Sequence, residues 1–95
     1  MMNTTHTTSP SLGTTAARAF FAAAKAHGVS VLAWARELEV AHNNLYAIRA
    51  GSRPCTLDQV AGWIRAWESS GRTPLRLVVE GDVVRVEPRV SWGAP

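Results

Sequence analysis

His42, Asn43, Asn44, Tyr46 and Arg49 crowd a short stretch with donors and acceptors, where an ordinary solvated helix carries Glu and Lys. Between them Leu45 and Ile48 recur at helical spacing. A short helix here buries the two aliphatic side chains and turns imidazole, amide, phenol and guanidinium groups outward. That outer face has what a helix needs in a DNA major groove: polar groups for base edges and a cation for phosphate. Catalytic chemistry has little to work with. His6, His27 and His42 fall in an N-terminal arm, at a helix end and on this outer face, with no carboxylate at ligand spacing. No Gly-rich phosphate loop, Ser-His-Asp set or metal cluster is present, so neither enzymatic activity nor a cofactor is expected.

The 95 residues carry ten Lys and Arg against seven Asp and Glu, a net charge of +3. The excess is almost entirely Arg, which suits forked contacts to phosphate or guanine. A chain of this length favours one domain with a modest core, and such domains often gain burial by dimerising. Cys55 is the only cysteine, which excludes a disulfide framework and multi-Cys zinc patterns. A small residue packed in a loop is its expected role. No apolar run approaches the ~20 residues that span a bilayer, and MMNTTHTTSP lacks the basic and apolar regions of a signal peptide. A cytoplasmic protein without a membrane partner is the resulting expectation.

The elements that must position the polar wall follow from spacing and caps. Residues 1–13 are Thr- and Ser-rich and read as a disordered arm; residues 14–71 form the helical domain. A first helix runs from Thr14 or Thr15 to about His27, burying Ala17, Phe20, Phe21 and Ala24 and turning Arg18 and Lys25 outward. Ser30 caps a second helix over Val31 to Leu38, with Leu32, Ala35 and Leu38 inward. Glu39-Val40-Ala41 makes the turn, with Val40 plugging the angle between helices. His42 to Ala50 forms the third helix, and Gly51 stops it. After the loop Ser52-Arg53-Pro54, Thr56 and Gln59 form a capping box for a fourth helix that turns Leu57, Val60, Ala61, Ile64 and Trp67 inward. Trp34 and Trp67 fit a helical core; Trp63, one step off that stripe, is a candidate for a dimer interface.

Residues 72–87 change character. Leu75 to Glu80 and Val83 to Glu87 flank Gly81-Asp82, a two-residue hairpin turn. Pairing Glu80 with Val83 sets Val79 opposite Val84, Leu77 opposite Val86 and Arg76 opposite Glu87. Leu75, Leu77, Val79, Val84 and Val86 then share one face, while opposite charges meet across the other. The apolar face is expected to pack on the helices and the free edge on a second copy, making these five residues dimer candidates. Residues 88–95 form a tail in which Trp92 packs on a core or on a partner. The fold class is mainly α with a C-terminal β-hairpin.

The stretch from Val31 to Gly51 resembles the helix-turn-helix of XRE/Cro-type regulators of phages and bacteria. In that family an Ala of the second helix packs on the third, a Val follows the turn, two aliphatic residues anchor the third helix and a Gly closes it. Ala35, Val40, Leu45, Ile48 and Gly51 occupy those places. The likeness covers roughly Thr14 to Trp67, and a β segment after four helices is similar to the Cro branch, where it mediates dimerisation. Three positions depart: Glu39 replaces the usual turn Gly, Ala41 the usual Ser or Thr, and Trp34 a common Leu.

The resemblance implies a four-helix domain of Cro-like architecture that represses transcription as a homodimer on near-palindromic double-stranded DNA. It places base reading on His42, Asn43, Tyr46 and Ala47, and phosphate contacts on Ser30, Val31, Asn44, Arg49 and Arg53. Asn43 can pair with adenine, His42 can donate to guanine, and Ala47 can meet a thymine methyl. Blander roles compete: His42 and Asn43 opening a solvated helix, Tyr46 packing on its neighbours, Arg49 bridging to Glu37 or Glu39. At the level of the molecule, the alternatives are an antitoxin bound to a toxin and a protein-interaction module that ignores DNA.

Overall fold

Ser11 opens the first helix by accepting the Thr14 amide on its hydroxyl at 3.1 Å, in a computed structural model that describes residues 11–89. Residues 1–10 of the arm, and Trp92 in the tail, lie outside the described residues. Helix α1 spans Leu12–Ala26, so Gly13 belongs to the helix rather than to the arm. The reason is a close approach: a Cβ on Gly13 would lie 1.7 Å from the Cys55 carbonyl oxygen. Glycine alone lets α1 meet the loop before the fourth helix in this way. A residue that reads as a helix breaker is a contact surface.

Helix α2 spans Val31–Leu38 behind the Ser30 cap, which accepts the Ala33 amide at 3.1 Å. Its end is closed by Glu39 and Val40, whose amides return to the carbonyls of Arg36 and Ala35. Glu39 sits in the left-handed region at φ 59°, a conformation that Gly adopts with less strain. Helix α3, His42–Ala50, ends the same way on Gly51 at φ 88°, with Gly51 and Ser52 amides bonded to Ile48 and Ala47. Val40 does not plug the interhelical angle: it is 41% exposed, at the rim of an open groove that Leu38 and Ile48 also line. Helix α4, Leu57–Ser69, begins with the capping box formed by Thr56 and Gln59. Val60 and Trp67 are buried from it, while Leu57, Ala61 and Ile64 are only half-buried.

Phe20 of α1 is the hub of the core. Its ring lies 5.2 Å from Trp34, 5.6 Å from Trp63 and 5.8 Å from Trp67, with Trp34 and Trp67 5.6 Å apart. Such tilted and edge-on pairs add to the area that each ring buries. The Trp67 indole N–H donates to the Thr73 carbonyl at 2.9 Å, whereas that of Trp34 finds no acceptor among the described residues. Trp63 is half-buried: one side of its ring packs on the core, 5.6 Å from Phe20 and 5.4 Å from Phe21, and the rest faces outward.

Strands β1 (Leu75–Glu80) and β2 (Val83–Pro88) pair antiparallel in the register read from the sequence, Glu80 to Val83 and Arg76 to Glu87. Arg76–Glu87 at 3.0 Å and Arg85–Glu80 at 2.8 Å bridge the outer face. The apolar face packs on α1 and α4. Leu75 and Val84 are buried there, Leu77 and Val86 half-buried, and Val79 is exposed beside the turn. Leu75 and Val84 are thus spent within one chain and cannot serve as contacts to a second copy. No helix of the described residues is long and apolar enough to cross a membrane.

Candidate nucleic-acid interface

Leu45 and Ile48, 3% and 4% exposed, anchor α3 and decide which of its side chains face outward. Asn43, His42, Arg49 and Ala50 are exposed; Asn44, Tyr46 and Ala47 are half-buried. The helix itself holds no carboxylate. Along one flank three side chains are stacked: the His42 ring meets the edge of Tyr46 at 5.7 Å, and the Arg49 guanidinium lies 5.1 Å from the Tyr46 ring centre. Tyr46 thus packs on its neighbours and at the same time holds them in a strip. A guanidinium over an aromatic face is stabilised by the ring quadrupole and keeps its N–H groups in plane for an acceptor.

Tyr46 and Arg49 of that strip form one wall of a cleft of about 480 Å³ between α1 and the start of α2. Phe21, Val29 and Val31 supply buried apolar lining, and Lys25, Ser30, Tyr46 and Arg49 supply the polar groups. The Ser30 cap satisfies the Ala33 and Trp34 amides and leaves those of Val31 and Leu32 without a partner among the described residues. Two open amides at the positive end of a helix dipole, with two cations beside them, suit an anion. On the opposite flank of α3, Asn44 and Arg53 share a smaller groove of about 140 Å³ with Val40, Ile48 and Trp63. The phosphate candidates therefore fall into two groups, Ser30, Val31 and Arg49 on one flank and Asn44 and Arg53 on the other. Asn43 and Ala47 lie between them, and His42 heads the strip that runs through Tyr46 to Arg49.

Arg49 makes no ion pair with Glu37 or Glu39; Glu37 is taken by Arg72. The hydrogen bond from Arg72 holds the Glu37 carboxyl below its ordinary range. All four basic residues from Arg72 onward pair with carboxylates, whereas Arg18, Lys25, Arg36, Arg49, Arg53 and Arg65 have no carboxylate partner among the described residues. The unpaired positive charge belongs to the helices and the loop after α3.

No family model, curated protein or solved structure matches this chain. The site must be judged on its own residues.

Two of them escape sequence reading. Lys25 faces solvent on α1 as expected, but the reversal at Gly28 brings the last turn of α1 beside the start of α2 and places Lys25 in the cleft. Its signal was position, in the last turn before a short connection. Arg18 also looks like a solvated helix residue, yet its Nε donates to the Arg49 carbonyl at 2.8 Å. Among the described residues no three His, Cys, Asp or Glu side chains group as metal ligands, and burial pushes the Cys55 thiol up, away from the reactive thiolate.

Proposed function

We propose that this chain is a sequence-specific double-stranded DNA-binding repressor of XRE/Cro type, a binding protein rather than an enzyme. It acts as a homodimer on a near-palindromic operator. α3 enters the major groove, and His42, Asn43 and Ala47 read base edges. The flanking grooves receive the two phosphate backbones, one at Arg49, Lys25 and the α2 amides, the other at Asn44 and Arg53. Two copies would set their reading helices about 34 Å apart, one turn of the duplex.

The observation that carries this reading is the carboxylate-free outer wall of α3, flanked on both sides by cations that have no carboxylate partner among the described residues. A solvated helix without a ligand gains by pairing such charges internally, as the hairpin does. The hairpin after four helices adds the Cro-like order of elements.

Asn43→Ala tests the base-reading role. Measured by fluorescence anisotropy on the preferred duplex, the substitution costs about 1–3 kcal/mol and relaxes preference at one base pair. Binding to an unrelated duplex stays unchanged. Equal losses on both duplexes would remove Asn43 from base reading, and no binding of wild type to any duplex at low salt would remove DNA.

A further inference from the structure

The two ends of α3 are held very differently. Its N-cap, Ala41, offers no side-chain acceptor. At the other end the Gly51, Ser52 and Arg53 amides all return into the last turn, to Ile48 at 3.0 Å and to Ala47 at 2.9 and 3.2 Å. The Arg49 carbonyl is left over, one of the orphan acceptors that every helix end produces. A different helix claims it. Arg18 of α1 donates its Nε at 2.8 Å from 31 residues away, and its Nη2 lies so near Gly51 that a Cβ there would sit 3.3 Å from it. A cation at this end also complements the negative pole of the α3 dipole.

We propose that Arg18 is a positioning residue for α3: it sets the tilt of the reading helix from α1 without touching DNA. The inference rests on the DNA-binding reading above. Arg49 and His42 are seven residues apart, about 10 Å along a helix, so a tilt of ~10° at the anchored end displaces the reading end by roughly 2 Å. Base-edge hydrogen bonds tolerate a few tenths of an ångström. Phosphate contacts from flexible Arg and Lys side chains follow such a shift. Loss of the anchor therefore removes selectivity and leaves general affinity in place.

Arg18→Met keeps the apolar stem and removes donor and charge; Arg18→Lys keeps the charge and an amine donor but not the planar Nε. Each is titrated by anisotropy against the duplex that wild type recovers from a random pool and against a scrambled duplex of equal composition, over a range of salt. The expected result for Arg18→Met is about tenfold weaker binding to the recovered duplex, with scrambled-duplex affinity and salt slope unchanged. Arg18→Lys falls between it and wild type. Should the Met variant melt below the assay temperature, Arg18→Lys decides, a loss confined to the recovered duplex supporting the proposal. Equal losses on both duplexes, with a salt slope smaller by about one, would make Arg18 a phosphate contact and overturn it. Unchanged binding to both would overturn it too. If wild type recovers no duplex, the DNA-binding reading fails first and Arg18 has no reading helix to set.

Discussion

Glu39 shows how a single residue can be legible in sequence and still be strained in the fold. The likeness to a motif with Gly at this place implies a left-handed or a bridge conformation, and Glu39 takes the left-handed one at φ 59°. An L-residue there costs about 1–2 kcal/mol, part of which Gly gives back through its freer unfolded chain. Glu39→Gly is therefore expected to raise the melting temperature by a few degrees in thermal denaturation, equivalent to about 0.5–1 kcal/mol. A fall would mean that the Glu39 side chain supports the turn. Arg18 is the opposite case. Nothing local marks it, since an Arg on a solvated helix face gives no signal until the chain brings the end of α3 against it. Tyr46 is intermediate: its polar tip made it a reading candidate, but its stacking between His42 and Arg49 needed the helix to be built.

Among the elements, caps and register were readable because they depend on neighbours in sequence. Ser30, Thr56 with Gln59, the Gly51 stop and the whole β1–β2 pairing follow from residues a few positions apart. The start of α1 did not, because Gly13 is selected by the distant Cys55 carbonyl rather than by its own helix. The Arg72–Glu37 pair is also non-local, joining the end of α2 to the segment before β1, with the Arg72 guanidinium 4.7 Å from the Trp67 ring centre. Because Arg72 lowers the Glu37 pKa in the folded chain, the pair stabilises fully above the ordinary carboxylate range, about pH 4. The contribution is lost as pH falls through the lowered value. Glu37→Gln should thus melt slightly below wild type at pH 7, by no more than about 1 kcal/mol for a pair this exposed, and the two should converge at acidic pH. A gap independent of pH would show that the carboxylate charge is irrelevant.

In the whole molecule the two halves divide the labour of charge and burial. The hairpin pairs its own charges and spends much of its apolar face on α1 and α4, while the helices and the loop after α3 keep six cations free of carboxylates among the described residues. The sequence shows that the hairpin has an apolar face but not that Leu75 and Val84 are buried by their own chain while Val79 stays exposed, since the depth of packing depends on how the helices meet. Val84→Asp consequently tests folding rather than dimerisation: a carboxylate at a position 9% exposed has no cation across the apolar face. Circular dichroism should show a melting transition lowered by several degrees or lost. A dimer-to-monomer shift with unchanged melting would return Val84 to an interface. The hairpin surface left for a second copy comprises its strand edges, Val79 beside the turn at 42% exposed, and Val83 at 53%.

The central claim is that the outer wall of α3 reads base pairs. Selection of bound duplexes from a random pool by the wild-type chain addresses it most directly. The account predicts an enriched sequence with two related half-sites centred about one helical turn apart, lost from the pool when Asn43 is replaced by Ala. A pool that stays random under wild-type selection, while the protein remains folded, would contradict it.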